Sequence, residues 1–76
     1  MITIEKAKEI LQKDHLNAVI GGGDYDEKYD SYKFFITGKI NDKGEHLRLS
    51  NDTIYLVNVQ NGSVIEKYFW EYLEEN

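Results

Sequence analysis

The run Asp24-Tyr25-Asp26-Glu27-Lys28-Tyr29-Asp30 places four carboxylates and two phenols within seven residues. Carboxylates at this density can hold a hard cation, or they can meet the lysines and arginines of another protein. The cation reading fails on spacing. A helix-loop-helix calcium loop wants an oxygen ligand at its fifth position and glycine at its sixth, where this chain carries Lys28 and Tyr29. The preceding Gly21-Gly22-Gly23 resembles a phosphate cradle only superficially, because a phosphate loop needs a lysine and a following helix N-terminus, whereas these glycines run straight into four carboxylates that repel phosphate. The glycines predict a flexible or bulged link instead.

Catalysis and structural metal binding find little material. His15 and His46 are the two histidines, cysteine is absent, and no nucleophile-elbow pattern surrounds any hydroxyl. A structural zinc site usually takes four protein ligands, more than two histidines without thiolates provide. The sequence therefore predicts a non-enzyme with no cofactor and no metal.

Recognition is the chemistry that remains. Tyrosine offers a large contact area with little rotamer entropy to lose, and carboxylates beside it steer encounter with a basic partner. The expected partner-binding residues are Asp24, Tyr25, Asp26, Glu27, Tyr29 and Asp30, with Trp70 as a further aromatic anchor. The competing reading is a solvated acidic loop whose tyrosines pack onto a sheet edge. The second acidic group, Glu66, Glu71, Glu74 and Glu75, reads as a solvated helix face.

Composition supports a basic protein as the partner. Fourteen acidic residues stand against nine basic ones, a formal net charge of −5, and Arg48 is the single arginine, which argues against direct nucleic-acid binding. No apolar run approaches the roughly 20 residues of a membrane span, and the opening Met1-Ile2-Thr3-Ile4-Glu5-Lys6 has no basic region followed by an apolar stretch. A soluble, cytoplasmic location is the expectation.

These residues need a scaffold, and 76 residues allow one domain, 1–76, which must fold without disulfides. Ten aromatic residues, six of them tyrosine, supply much of the core. Thr3 as N-cap, Glu5 in the first turn, and Ile4, Ala7, Ile10 and Leu11 at helical spacing predict a helix over about residues 4–15, running out near His15 and Asn17. Ala18-Val19-Ile20 suits a short strand, and residues 21–30 are either a loop or a bulged hairpin end. Alternation from Ser31 through Tyr32, Phe34 and Ile36 predicts a strand over 31–40.

Asn41-Asp42-Lys43-Gly44 predicts a turn with Gly44 at positive φ, followed by a strand over Glu45 to Leu49. Ser50-Asn51-Asp52 predicts another turn. Thr53 to Val59 is dense in β-branched and aromatic residues and apolar on both faces, the pattern of a central strand. After Asn61-Gly62 two readings compete. Ser63-Val64-Ile65-Glu66 fits a capping box leading a helix over about 65–74, while Asn-Gly flanked by apolar residues also signals a hairpin. The helix is the favoured reading. The resulting fold class is α+β: an N-terminal helix, a three- to four-stranded antiparallel meander and a C-terminal helix, with both helices on one face and function on the other.

The order of these elements carries a resemblance. The opening helix with Ile4, Ala7, Ile10 and Leu11, the strand Tyr32 to Ile36, the strand Ile54 to Val59 ending in Asn61-Gly62, and the terminal Ile65 to Tyr72 resemble the small immunity proteins of bacterial toxin systems. That resemblance implies a cytoplasmic, non-catalytic antidote that plugs or covers a toxin, with specificity on a variable acidic surface. A second reading is a phage-encoded inhibitor that presents carboxylates where phosphates would lie in the groove of a host nuclease or defence complex. A third is a small structural domain that forms a homodimer through a Tyr and Phe face, against monomer behaviour for the inhibitors.

Overall fold

The computed structural model describes residues 1–49 and 52–75, in the order α1 (Ile4–Asp14), β1 (Ala18–Asp26), β2 (Ser31–Ile40), β3 (His46–Arg48), β4 (Thr53–Asn58), β5 (Val64–Tyr68) and α2 (Phe69–Glu75). The fold is α+β, as the sequence predicts. Helix α1 starts where the Thr3 side-chain oxygen accepts a hydrogen bond from the Lys6 N–H at 3.1 Å. It ends at His15, and the Gln12 side chain then donates to the carbonyls of His15 (2.8 Å) and Ala18 (3.0 Å), stitching the helix end to the start of β1.

All strand pairs are antiparallel, in the order β1-β2-β4-β5. The ten-residue β2 divides its second side, pairing β4 over Ser31 to Phe35 and β3 over Gly38 to Ile40. The predicted turn at 41–44 is present, with Gly44 at φ 78° and the Asn41 side-chain oxygen accepting from the Lys43 and Glu45 N–H groups. Ser50 and Asn51 of the next predicted turn lie outside the described residues. Where the sequence left loop or bulged hairpin open, β1 runs on to Asp26 through two register breaks, at Val19/Ile20 and Gly22/Asp24. Gly23 explains the glycine run. Its φ is 119°, and a Cβ on it would stand 2.5 Å from Ile4 Cδ1, so the strand bulges where α1 comes down on it.

Two expectations are corrected. The first concerns the C-terminal segment, which returns as β5 before turning into a seven-residue helix rather than forming one helix over 65–74. Asn58 closes the turn by accepting from Gln60 and Asn61 N–H with its side chain, and its own N–H donates to the Ser63 carbonyl at 2.8 Å. Ser63 therefore serves the strand ladder, not a helix cap. Turn chemistry at Asn61-Gly62 and the ladder offered by β4 outweigh a short helical periodicity.

The second correction concerns the faces. Helix α1 covers one side of the sheet, burying Ala7 and Leu11 with Ile20, Phe34, Ile36, Tyr55 and Val57. Helix α2 covers the other, where Tyr72 packs on Ile54 and Leu56 beside Tyr29 and Phe35. The two-sided apolar pattern of β4 demands this arrangement, because burying Tyr55 and Val57 leaves Ile54 and Leu56 pointing the opposite way. With a helix on each face, the sheet has no helix-free side of the kind expected for function.

Candidate functional site

The candidate site is the β1–β2 hairpin and the helix behind it. Asp26 and Ser31 are the last ladder pair, and residues 27–30 form the loop. Asp30 takes a left-handed φ of 49°, a conformation aspartate tolerates better than most residues, and its N–H donates to the Glu27 carbonyl at 3.3 Å. The Asp26 side chain accepts from the Tyr29 N–H at 3.1 Å, so the loop is closed by its own first residue.

Helix α2 fixes the hairpin from behind. Its Tyr72 hydroxyl donates to Asp26, and Tyr72 lies against the Tyr29 ring with centroids 6.4 Å apart. Donation to Asp26 pushes the Tyr72 hydroxyl up to about 12, with burial and the charges of Asp26 and Asp24 adding in the same direction. At the helix end, the Glu75 side chain accepts from Tyr29 and from Lys67 (2.7 Å), and the Glu75 carbonyl accepts from Lys28 (2.7 Å). Lys33 sits over the Tyr72 ring, 4.8 Å from its centroid.

The β4–β5 turn holds the hairpin from the side. Val59 N–H donates to the Asp30 carbonyl at 3.0 Å, and Gln60 donates to the Asp30 side chain at 3.2 Å.

Within this frame the predicted contact residues separate. Tyr25 is 52% exposed, lies edge-on to Tyr32 with centroids 6.2 Å apart, and donates to Asp30 at 2.6 Å. That hydrogen bond raises the Tyr25 hydroxyl above the usual tyrosine value, helped by desolvation and by the charges of Asp30 and Glu27. Glu27 is exposed near it, Asp24 is exposed on the opposite, α2 side of the strand, and Asp30 is half-buried. Asp26 turns inward, 8% exposed, with its oxygens engaged by Tyr72 and Tyr29. Tyr29 is half-buried against α2.

Trp70 is separate from these six. It stands in the first turn of α2 and stacks on Tyr68 with the rings 11° from parallel, whereas the helix meets the hairpin through Tyr72 and Glu75.

The interleaving of Tyr25, Tyr29 and Tyr32 with the carboxylates is legible in the sequence, but sequence reasoning missed the supporting roles of Lys67, Tyr72 and Glu75. One signal was available for Tyr72. A buried phenol needs a hydrogen-bond acceptor, and the Asp-rich run was the nearest source of one.

The arrangement offers a firmly held lip with Asp24, Tyr25 and Glu27 outward. Among the described residues, no three His, Asp or Glu side chains stand close enough to hold a metal ion, and no helix is long and apolar enough to cross a membrane. No family model, curated protein or solved structure matches the chain.

Proposed function

We propose that this protein is a small, acidic, non-catalytic binding module that covers and inactivates a basic partner protein in the cytoplasm, as an immunity-type antidote does. Charge segregation is the observation that supports this reading. Residues 24–33 and 66–75 hold eight carboxylates against three lysines, which equals the whole formal net charge of −5. Each of those lysines is engaged within the fold: Lys28 and Lys67 by Glu75, Lys33 by Tyr72. The outward charge of the hairpin and α2 is therefore acidic, while the rest of the chain balances six acids with six bases.

Tyr25 supplies the anchor. Its hydrogen bond to Asp30 and its contact with Tyr32 order the side chain before any partner arrives, which lowers the entropy lost on binding. Tyr25 fills a pocket on the partner, and Asp24 and Glu27 pair with surrounding lysine or arginine. The test is a pull-down from host lysate using the wild type beside two variants, Asp24→Ser/Glu27→Ser and Tyr25→Ala, with mass spectrometry of what is retained. Capture of a basic protein by the wild type and its loss from both variants is the expected result. Equal capture by all three would remove the hairpin from the interface. Asp26 stays unaltered, because replacing it would release α2 rather than probe the surface.

A further inference from the structure

We infer that the outer edge of β5 receives an extended, basic segment of the partner as an added sixth strand. This inference rests on the acidic-module reading and names how such a partner is gripped. The backbone parity comes from the ladder. Asn58 and Ser63 form a hydrogen-bonded pair, so the pairs Leu56/Ile65 and Ile54/Lys67 are bonded in turn, and Val64, Glu66 and Tyr68 direct their N–H and C=O groups away from β4. Strand β5 ends the sheet order, and no other strand pairs its outer side among the described residues.

The two edges of the sheet are built differently. Edge β1 is interrupted by two register breaks, contains three glycines and carries Asp24, all devices that discourage an added strand. Edge β5 has an unbroken register from Val64 to Tyr68, and its lysine is drawn back to Glu75. Its apolar side chains are exposed on both sides: Val64 and Tyr68 on the α1 side, Ile65 (45% exposed) on the α2 side, with the stacked Tyr68 and Trp70 rings at its end.

Charge selects the occupant. A second copy would pair antiparallel about a two-fold axis, and centring on Glu66 or Lys67 sets like charges opposite each other, while centring on Ile65 leaves Glu66 facing Val64. A segment alternating lysine or arginine with aliphatic residues meets Glu66 with a cation and offers a guanidinium or ammonium to the Tyr68–Trp70 platform.

The experiment titrates isotope-labelled protein with the peptide Lys-Val-Lys-Val-Lys-Val-Lys, its fully N-methylated form and its Glu-Val counterpart, reading amide hydrogen exchange by NMR. The expected result is exchange slowed about tenfold or more at Val64, Glu66 and Tyr68 by the first peptide, with no slowing by the other two. Glu66→Lys, an exposed substitution checked for an unchanged melting temperature, is expected to weaken that binding at least about threefold. Equal binding of the N-methylated peptide, shifts confined to Asp24 and Glu27, or no binding at all would overturn strand addition. The hairpin pull-down is independent of these outcomes, so the acidic-module reading stands or falls separately. Protection of the same three amides on concentrating the protein alone, with a dimer in sedimentation, would overturn the basic occupant in favour of a second copy.

Discussion

Asp26 and Tyr25 show how differently neighbouring residues of one acidic run are used. Side chains alternate across a strand, so Tyr25 lies on the α1 side with Tyr32, and Asp24 and Asp26 lie on the α2 side. Asp26 is then drawn under α2, where the Tyr72 hydroxyl satisfies it. Tyr72→Phe removes that donor and leaves a buried carboxylate short of a partner. The expected loss is about 1.5–3 kcal/mol in urea unfolding, the usual range for a hydrogen bond to a charged group. The pH dependence has a definite sign. The folded state raises the Tyr72 hydroxyl from 10.0 to about 12, so it binds that proton more tightly than the unfolded chain does. The stabilisation is complete below pH 10 and disappears as pH climbs from 10 through about 12. Wild type is expected to lose melting temperature across that interval more steeply than Tyr72→Phe. Parallel slopes for the two proteins would remove Tyr72 as the source.

Helix α2 is only seven residues long, too short to hold itself in water, and its order comes from docking. Phe69 meets Phe35 edge-on, Tyr72 covers Ile54 and Leu56, and Glu75 collects Lys28, Tyr29 and Lys67. A chain ending at Tyr68 would uncover Ile54, Leu56 and Phe35 and free the hairpin from behind. Loss of cooperative thermal unfolding together with binding of an apolar dye is the expected outcome. A sharp, unshifted transition would show that α2 is an appendage. Helix α1 was readable from Thr3 and the Ile4, Ala7, Leu11 spacing because its signals are local and agree with one another. The strand β4 was readable for the same reason. The β5 strand was not, because Val64, Ile65, Tyr68, Phe69, Tyr72 and Leu73 satisfy a helical period while the deciding term, the ladder with β4, is non-local. The same holds for the site. Its acidic and aromatic content was plain in residues 24–30, yet the inward turn of Asp26 and Tyr29 depends on a helix some 40 residues later in the chain.

At the scale of the whole molecule, the separation of charge and anchor leads to a kinetic prediction. Unpaired carboxylates on the hairpin and α2 create a negative field over one region, and a field acts before contact, on the rate of encounter. Tyr25 acts after contact, on the rate of escape, because a desolvated aromatic anchor must be withdrawn from its pocket. With the captured partner immobilised, Asp24→Ser/Glu27→Ser is expected to slow association several-fold at 50 mM salt and to approach wild type near 500 mM, where the screening length falls to about 4 Å. Tyr25→Ala is expected to leave association nearly unchanged and to accelerate dissociation by about 30-fold or more, the equivalent of a 2 kcal/mol anchor. The two effects should be separable because the tyrosine is neutral and the carboxylates stand at the rim. If the carboxylate variant instead altered dissociation alone, with no salt dependence, Asp24 and Glu27 would be buried contacts in the complex and the steering role would be withdrawn.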